Sequence, residues 1–199
     1  MTRAYGLALL LLTTSACSSL HDHAYYPDPA DPATRLLSEV LWRAAKAARD
    51  DPGEYSFAMI ASRHVAAYTV EDATFYFTEG LAGQPVTVID ALVAHEVSHE
   101  VLGHIGQRRA LSLSLGTLLF SPLIVRAYTR DQEIAADLKA VEILREMRYE
   151  APRRALADAL RAAATINGPP RGGWLATEPS LDDRLGRLEP LETEKRAAK

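Results

Sequence analysis

The chain has one cysteine, Cys17, in 199 residues, so an internal disulfide is excluded and with it any disulfide-stapled scaffold. Lysine is scarce: there are 4 against 18 arginines, and the arginines are scattered among 26 acidic residues. The net charge of −4 leaves no basic surplus for gripping nucleic acid. Apolar runs of the roughly 20 residues a spanning helix requires are absent, which rules out a many-span membrane protein. There is no internal repeat and no collagen-like period. What is present is ordinary: 48% hydrophobic and 24% charged residues, enough for one domain with a sizeable core.

The N-terminus has the outline of a secretory signal. Arg3 precedes the apolar run Gly6–Leu12, and the small residues Ser15-Ala16 lead into Cys17. That ending resembles a bacterial lipobox, with Thr14 where leucine is usual. The expectation is a signal over 1–16, lipidation of Cys17, and anchoring to an envelope membrane facing the periplasm; the plainer alternative is an ordinary signal peptide with an incidental cysteine. Residues 17–30, rich in Asp-Pro turn signals, read as a tether. His21 and His23 within it read as solvated side chains rather than ligands.

From Asp31 the chain reads as a folded domain over 31–191, with a frayed tail over 192–199. Asp31 is suited to cap a helix that begins at Pro32, and Leu36, Leu37, Val40, Leu41, Ala44 and Ala48 then recur at helical spacing. Three strands are expected at Tyr55–Ile60, Val65–Val70 and Ala73–Thr78, between turn residues. Helices are expected at Thr87–Ile105, Asp131–Met147 and Pro152–Ile166. The fold class is therefore α+β, mostly helical, with a small β-sheet. Leu111–Val125 is apolar but interrupted by Gly116 and Pro122, and reads as a buried or membrane-facing pair of helical segments, or a lid.

The chemistry concentrates in His95-Glu96-Val97-Ser98-His99. Four helical residues turn through about 400°, so His95 and His99 share one face, and two imidazoles there can reach one zinc ion. Glu96 between them is placed to act on a water at that ion. The bland alternative is a pair of hydrogen-bonded core histidines. A catalytic zinc needs a third protein ligand. Ile105 occupies the place where metzincins carry a third histidine, which excludes that class. His104 lies five residues on; in an unbroken helix it points about 140° away from the zinc face, a supporting position at best. Glu133 and Asp137, four apart on the Asp131–Met147 segment, offer a ligand and an acceptor for a histidine's outer N–H. Their own alternative is a solvated acidic helix face.

Taken together, His95–His99, His104 and the segment Tyr128–Asp137 resemble the gluzincin peptidases related to the heat-shock membrane protease HtpX and the CaaX prenyl-protein endopeptidase. The small periplasmic lipoprotein members are nearest in shape, and the resemblance spans roughly Val65 to Arg184. It implies a zincin-like fold with one zinc ion per chain held by His95, His99 and Glu133, with Glu96 as catalytic base and Asp137 behind a ligand. It implies an edge strand over the cleft at Thr74, Phe75, Tyr76, Phe77 and Thr78, along which an extended polypeptide could bind as an added strand. The activity implied is endoproteolysis of unfolded or misfolded envelope proteins. Two departures stand out. Ala66-Ala67 replaces the family's Asn-Ala, and Glu178 stands where a histidine is usual, with Arg184 following as either an oxyanion donor or a structural ion-pair partner. The competing reading is a proteolytically quiet, zinc-stabilised envelope binding protein or chaperone.

Overall fold

The computed structural model describes residues 24–70, 72–107, 128–168 and 179–193. The expected signal peptide, Cys17, His21, His23, Leu111–Val125 and Glu178 lie outside these residues.

Helix α1 (Pro32–Ala48) begins as the sequence suggests. Asp31 accepts a hydrogen bond from Thr34 N at 2.9 Å, Pro32 occupies the first turn, and Leu37, Val40, Leu41 and Ala44 are buried. It stops at Arg49, whose φ of 65° places it in the left-handed region that ends helices. A short 3-10 turn (Pro52–Glu54) leads into the sheet.

The sheet has four strands: β1 (Ala24–Tyr25), β2 (Ser56–Ile60), β3 (Ala67–Val70) and β4 (Thr74–Thr78), in the spatial order β1-β2-β4-β3. β2 runs parallel to β4, whereas β1 against β2 and β3 against β4 are antiparallel. Two expectations are corrected here. Ala24 and Tyr25 belong to the sheet, pairing with Ile60 and Met59, so residues 24–25 are not tether. β4 is an inner strand, paired on both sides, and not the edge strand expected at Thr74–Thr78. The cause is its sequence: Phe75, Tyr76, Phe77 and Thr78 are buried in succession, so both faces are covered, as suits a central strand. The edge on this side is β3, where Tyr68 is exposed and its neighbour Thr69 is buried.

Behind the sheet lie α2 (Glu79–Ala82), α3 (Val86–Val101), α4 (Arg130–Glu146), α5 (Pro152–Asn167) and α6 (Leu181–Leu188). α3 is the central helix. Ile89, Ala91, Val93, Ala94 and Val97 are fully buried, and α1, α4, α5 and β3 pack around it. Helix α3 ends at Val101, short of the expected Ile105, because Leu102 closes it and Gly103 adopts φ +65°. Helices α4 and α5 match their expected spans within one residue. Both α4 and α6 open on capping boxes, Thr129 with Gln132 and Ser180 with Asp183. Glu192, expected in a frayed tail, is instead fixed: its carboxylate accepts from Arg153 N and Arg154 N at the start of α5. Among the described residues no helix is long and apolar enough to cross a membrane.

Candidate metal centre

The last two turns of α3 and the first two of α4 meet inside the molecule. His95 and His99 lie one turn apart on α3, and Glu133 lies on α4; all three are buried. The three side chains form a triangle: His95 Nε2 to His99 Nε2 is 3.1 Å, His95 Nε2 to Glu133 Oε2 is 3.3 Å, and His99 Nε2 is 3.6 Å from the other carboxylate oxygen, Glu133 Oε1. Ligands about 2.0–2.2 Å from a tetrahedral ion stand about 3.3 Å from one another, so this triangle fits a metal ion of that size and geometry. The group can hold a metal ion; its chemistry does not by itself select which one.

Each histidine is also held from behind. His95 Nδ1 lies 3.0 Å from Asp137 Oδ1, so its outer N–H is directed to a carboxylate while Nε2 faces the triangle. Asp137 is itself gripped by Arg184 of α6, whose Nε donates to Oδ2 at 2.8 Å while its Nη2 donates to Oδ1. Of the two roles expected for Arg184, the ion pair is the one seen; Nη1 also lies 3.6 Å from Glu133 Oε2. Another salt bridge, Arg130 to Asp183 at 2.7 Å, ties α6 to the start of α4.

His104 is not where an unbroken helix would put it. The turn at Leu102-Gly103 folds it back, and its Nδ1 lies 3.0 Å from His99 Nδ1. With a metal on His99 Nε2, His99 Nδ1 would carry the hydrogen and neutral His104 would accept it. Burial holds the His104 pKa below its usual value, in keeping with a neutral acceptor. Tyr128 stacks on the other side of His99, ring centroids 3.7 Å apart and planes 14° apart.

Glu96 turns toward the sheet. Thr69 Oγ1 of edge strand β3 lies 2.7 Å from Glu96 Oε2 and 3.0 Å from the Glu96 carbonyl. Burial pushes the Glu96 carboxyl up to about 7; His95 and the Thr69 hydrogen bond pull the other way without cancelling it. A carboxylate poised near neutrality suits a proton acceptor.

The charge balance is uneven. Glu96, Glu133 and Asp137 are buried together against one guanidinium, Arg184. Without a metal, burial and Arg184 push the His95 proton off, but the Asp137 and Glu133 carboxylates outweigh them and raise its pKa to about 10. Burial likewise works against the charged forms of Glu133 and Asp137, yet their partners, His95 for the first and Arg184 then His95 for the second, hold both below the usual carboxylate range. In the metal-free protein a protonated His95 therefore joins Arg184 in balancing the carboxylates, and a cation held between the ligands would take the place of that proton.

Among the expected site residues, the structure brings His95, Glu96, His99, Glu133, Asp137 and Arg184 together, and leaves Thr74–Thr78 within the sheet. Thr69 and Tyr128 were not foreseen as site residues. A polar threonine on the buried face of a strand is a usable signal for the first; nothing local marks the second. No protein-family model matches this chain, and no curated protein matches it, so the functional reading rests on the site.

Proposed function

We propose that this chain is a zincin-like, zinc-dependent endopeptidase of the gluzincin type, acting on extended or unfolded polypeptide in the bacterial envelope. The observation that carries the reading is the donor triangle with Glu96 beside it, held by an edge strand. Three ligands leave a tetrahedral ion one open position, the arrangement of a catalytic rather than a structural zinc site. When bound, zinc supplies Lewis acidity: it polarises a carbonyl and makes a water acidic near neutral pH.

The protein's own groups do the rest. Glu96 accepts the proton of the attacking water and delivers it to the leaving amine nitrogen. Asp137, backed by Arg184, keeps the His95 ring in one tautomer, and His104 does the same for His99. Substrate is oriented by β3. Its outer edge pairs with no strand among the described residues, and Thr69 places that edge against the base. An extended peptide adding there would run past Glu96, in the place where Tyr128 Oη makes a long contact to Thr69 O, 3.4 Å. Arg184, occupied by Asp137, acts as a positioning residue.

The test compares cleavage of an unfolded protein by the zinc-loaded wild type and Glu96→Gln. Cleavage by the wild type alone supports the proposal. Equal zinc content with no cleavage by either favours a quiet, metal-stabilised binding protein.

A further inference from the structure

The surface around Trp42 differs from the rest of the chain. Trp42 is 54% exposed and Tyr26 is 90% exposed, and the two line one groove with Pro27, Tyr55 and Phe57. On the other flank of Trp42, Arg43, Lys46, Arg49 and Arg148 line a second groove with a single acid, Glu146. Lys46 Nζ sits 5.6 Å above the Trp42 ring. Arg43 is committed to Asp90, and the Asp50 carboxylate is taken by Tyr55 Oη at 2.6 Å. Lys46, Arg49 and Arg148 remain beside an exposed indole in a chain whose net charge is −4.

Exposed Trp and Tyr rings flanked by Lys and Arg suit the interface of an anionic bilayer: the rings partition to the headgroup level and the cations meet lipid phosphates. The position of this face in the chain points the same way. Six residues lie between Cys17 and Ala24, so the seven steps of chain reach at most about 25 Å fully extended. A domain of this length is about 40 Å across, so a lipid at Cys17 keeps the face where the chain enters the sheet near the membrane. Tyr26 follows β1 directly.

We propose that the face around Tyr26 and Trp42 docks on anionic lipid headgroups of the membrane that holds the anchor, fixing the orientation of the catalytic domain. This rests on the lipid-anchor reading of Cys17, and the experiment separates the two. The full lipidated chain carrying Trp174→Phe, so that Trp42 is the sole tryptophan, is reconstituted into phosphatidylcholine–phosphatidylglycerol vesicles with brominated acyl chains. The expected result is co-flotation with several-fold quenching and a blue shift of Trp42 emission. Quenching should weaken in high salt and on replacing Lys46, Arg49 and Arg148 with Glu. A chain that floats with Trp42 unquenched overturns the docking and leaves the anchor intact. A chain that does not float removes the anchor; quenching by added vesicles then still supports docking, and its absence overturns both. Trp42 shielded from a soluble quencher without vesicles assigns the face to a protein contact and overturns the proposal.

Discussion

Helix α3 carries two buried acidic sites that are built to opposite ends. In its first half, Asp90 is matched: Arg43 Nη2 donates to it at 2.7 Å and Tyr149 Oη at 2.6 Å, tying α3 to α1 and to the approach to α5. Burial and the hydrogen bond to Asp90 hold the Tyr149 hydroxyl pKa well above its usual value, so it stays a donor. At its second half, Glu96 meets Glu133 and Asp137 of α4, and Arg184 together with the His95 proton faces the three carboxylates. The pairing at Asp90 is fixed by an arginine and a tyrosine; at the second site part of the balance is a histidine proton, which a bound cation can replace. The same helix thus separates a structural acid from the candidate metal site about one and a half turns away.

The sharpest way to break the comparison is at Glu96. Glu96→Gln should keep the metal and lower peptide cleavage by about 10²–10⁴-fold, measured as initial rate beside metal content. Loss of metal along with rate would show Glu96 to be part of the binding set. Glu133→Ala should weaken metal binding by more than the ~10–100-fold typical of an outer partner, read by competition with a chelator. Wild-type affinity in that variant removes Glu133 from the ligands. Asp137→Asn and His104→Ala should fall within that ~10–100-fold range, with circular dichroism unchanged.

The pH dependence of the two halves should also differ. In the metal-free protein the His95 pKa is raised from 6.5 to about 10. Its stabilising contribution is therefore fully present below about pH 6.5 and lost as pH rises through about 10. Metal requires the same nitrogen deprotonated, so affinity should rise with pH and binding should release a proton, detectable as a buffer-dependent heat. Melting of the chelator-treated protein that shows no decline toward pH 10 would contradict this. At the matched site, Asp90→Asn should cost about 2 kcal/mol of stability in denaturant unfolding and leave metal affinity unchanged. A change in affinity would mean the two halves of α3 are coupled.

Much of this was legible before any folding was considered. Asp31-Pro32 and the apolar spacing of α1 mark a helix because capping and 3.6-residue periodicity are local properties. The same periodicity places His95 with His99 and Glu133 with Asp137, since residues four apart share a helix face in any fold. Ser180 and Asp183 carried a readable start signal for α6 that the strand-and-helix reading passed over. The inner position of β4 had a partial signal, the continuous run Phe75-Tyr76-Phe77 that suits a strand covered on both faces, but which strands flank it is decided only by the fold.

The sequence by itself therefore determined the local elements and the residue pairs that share a face within each helix, His95 with His99 and Glu133 with Asp137, because backbone geometry sets those spacings. Only the tertiary structure decided that α3 and α4 face each other with their donors about 3.3 Å apart, as a tetrahedral metal requires. It also decided that Gly103 returns His104 to His99, that Arg184 arrives from α6 to hold Asp137, and that β3 rather than β4 lies beside Glu96. Each of these joins residues from separate elements or across a broken helix, and such contacts exist only once the core has closed around α3.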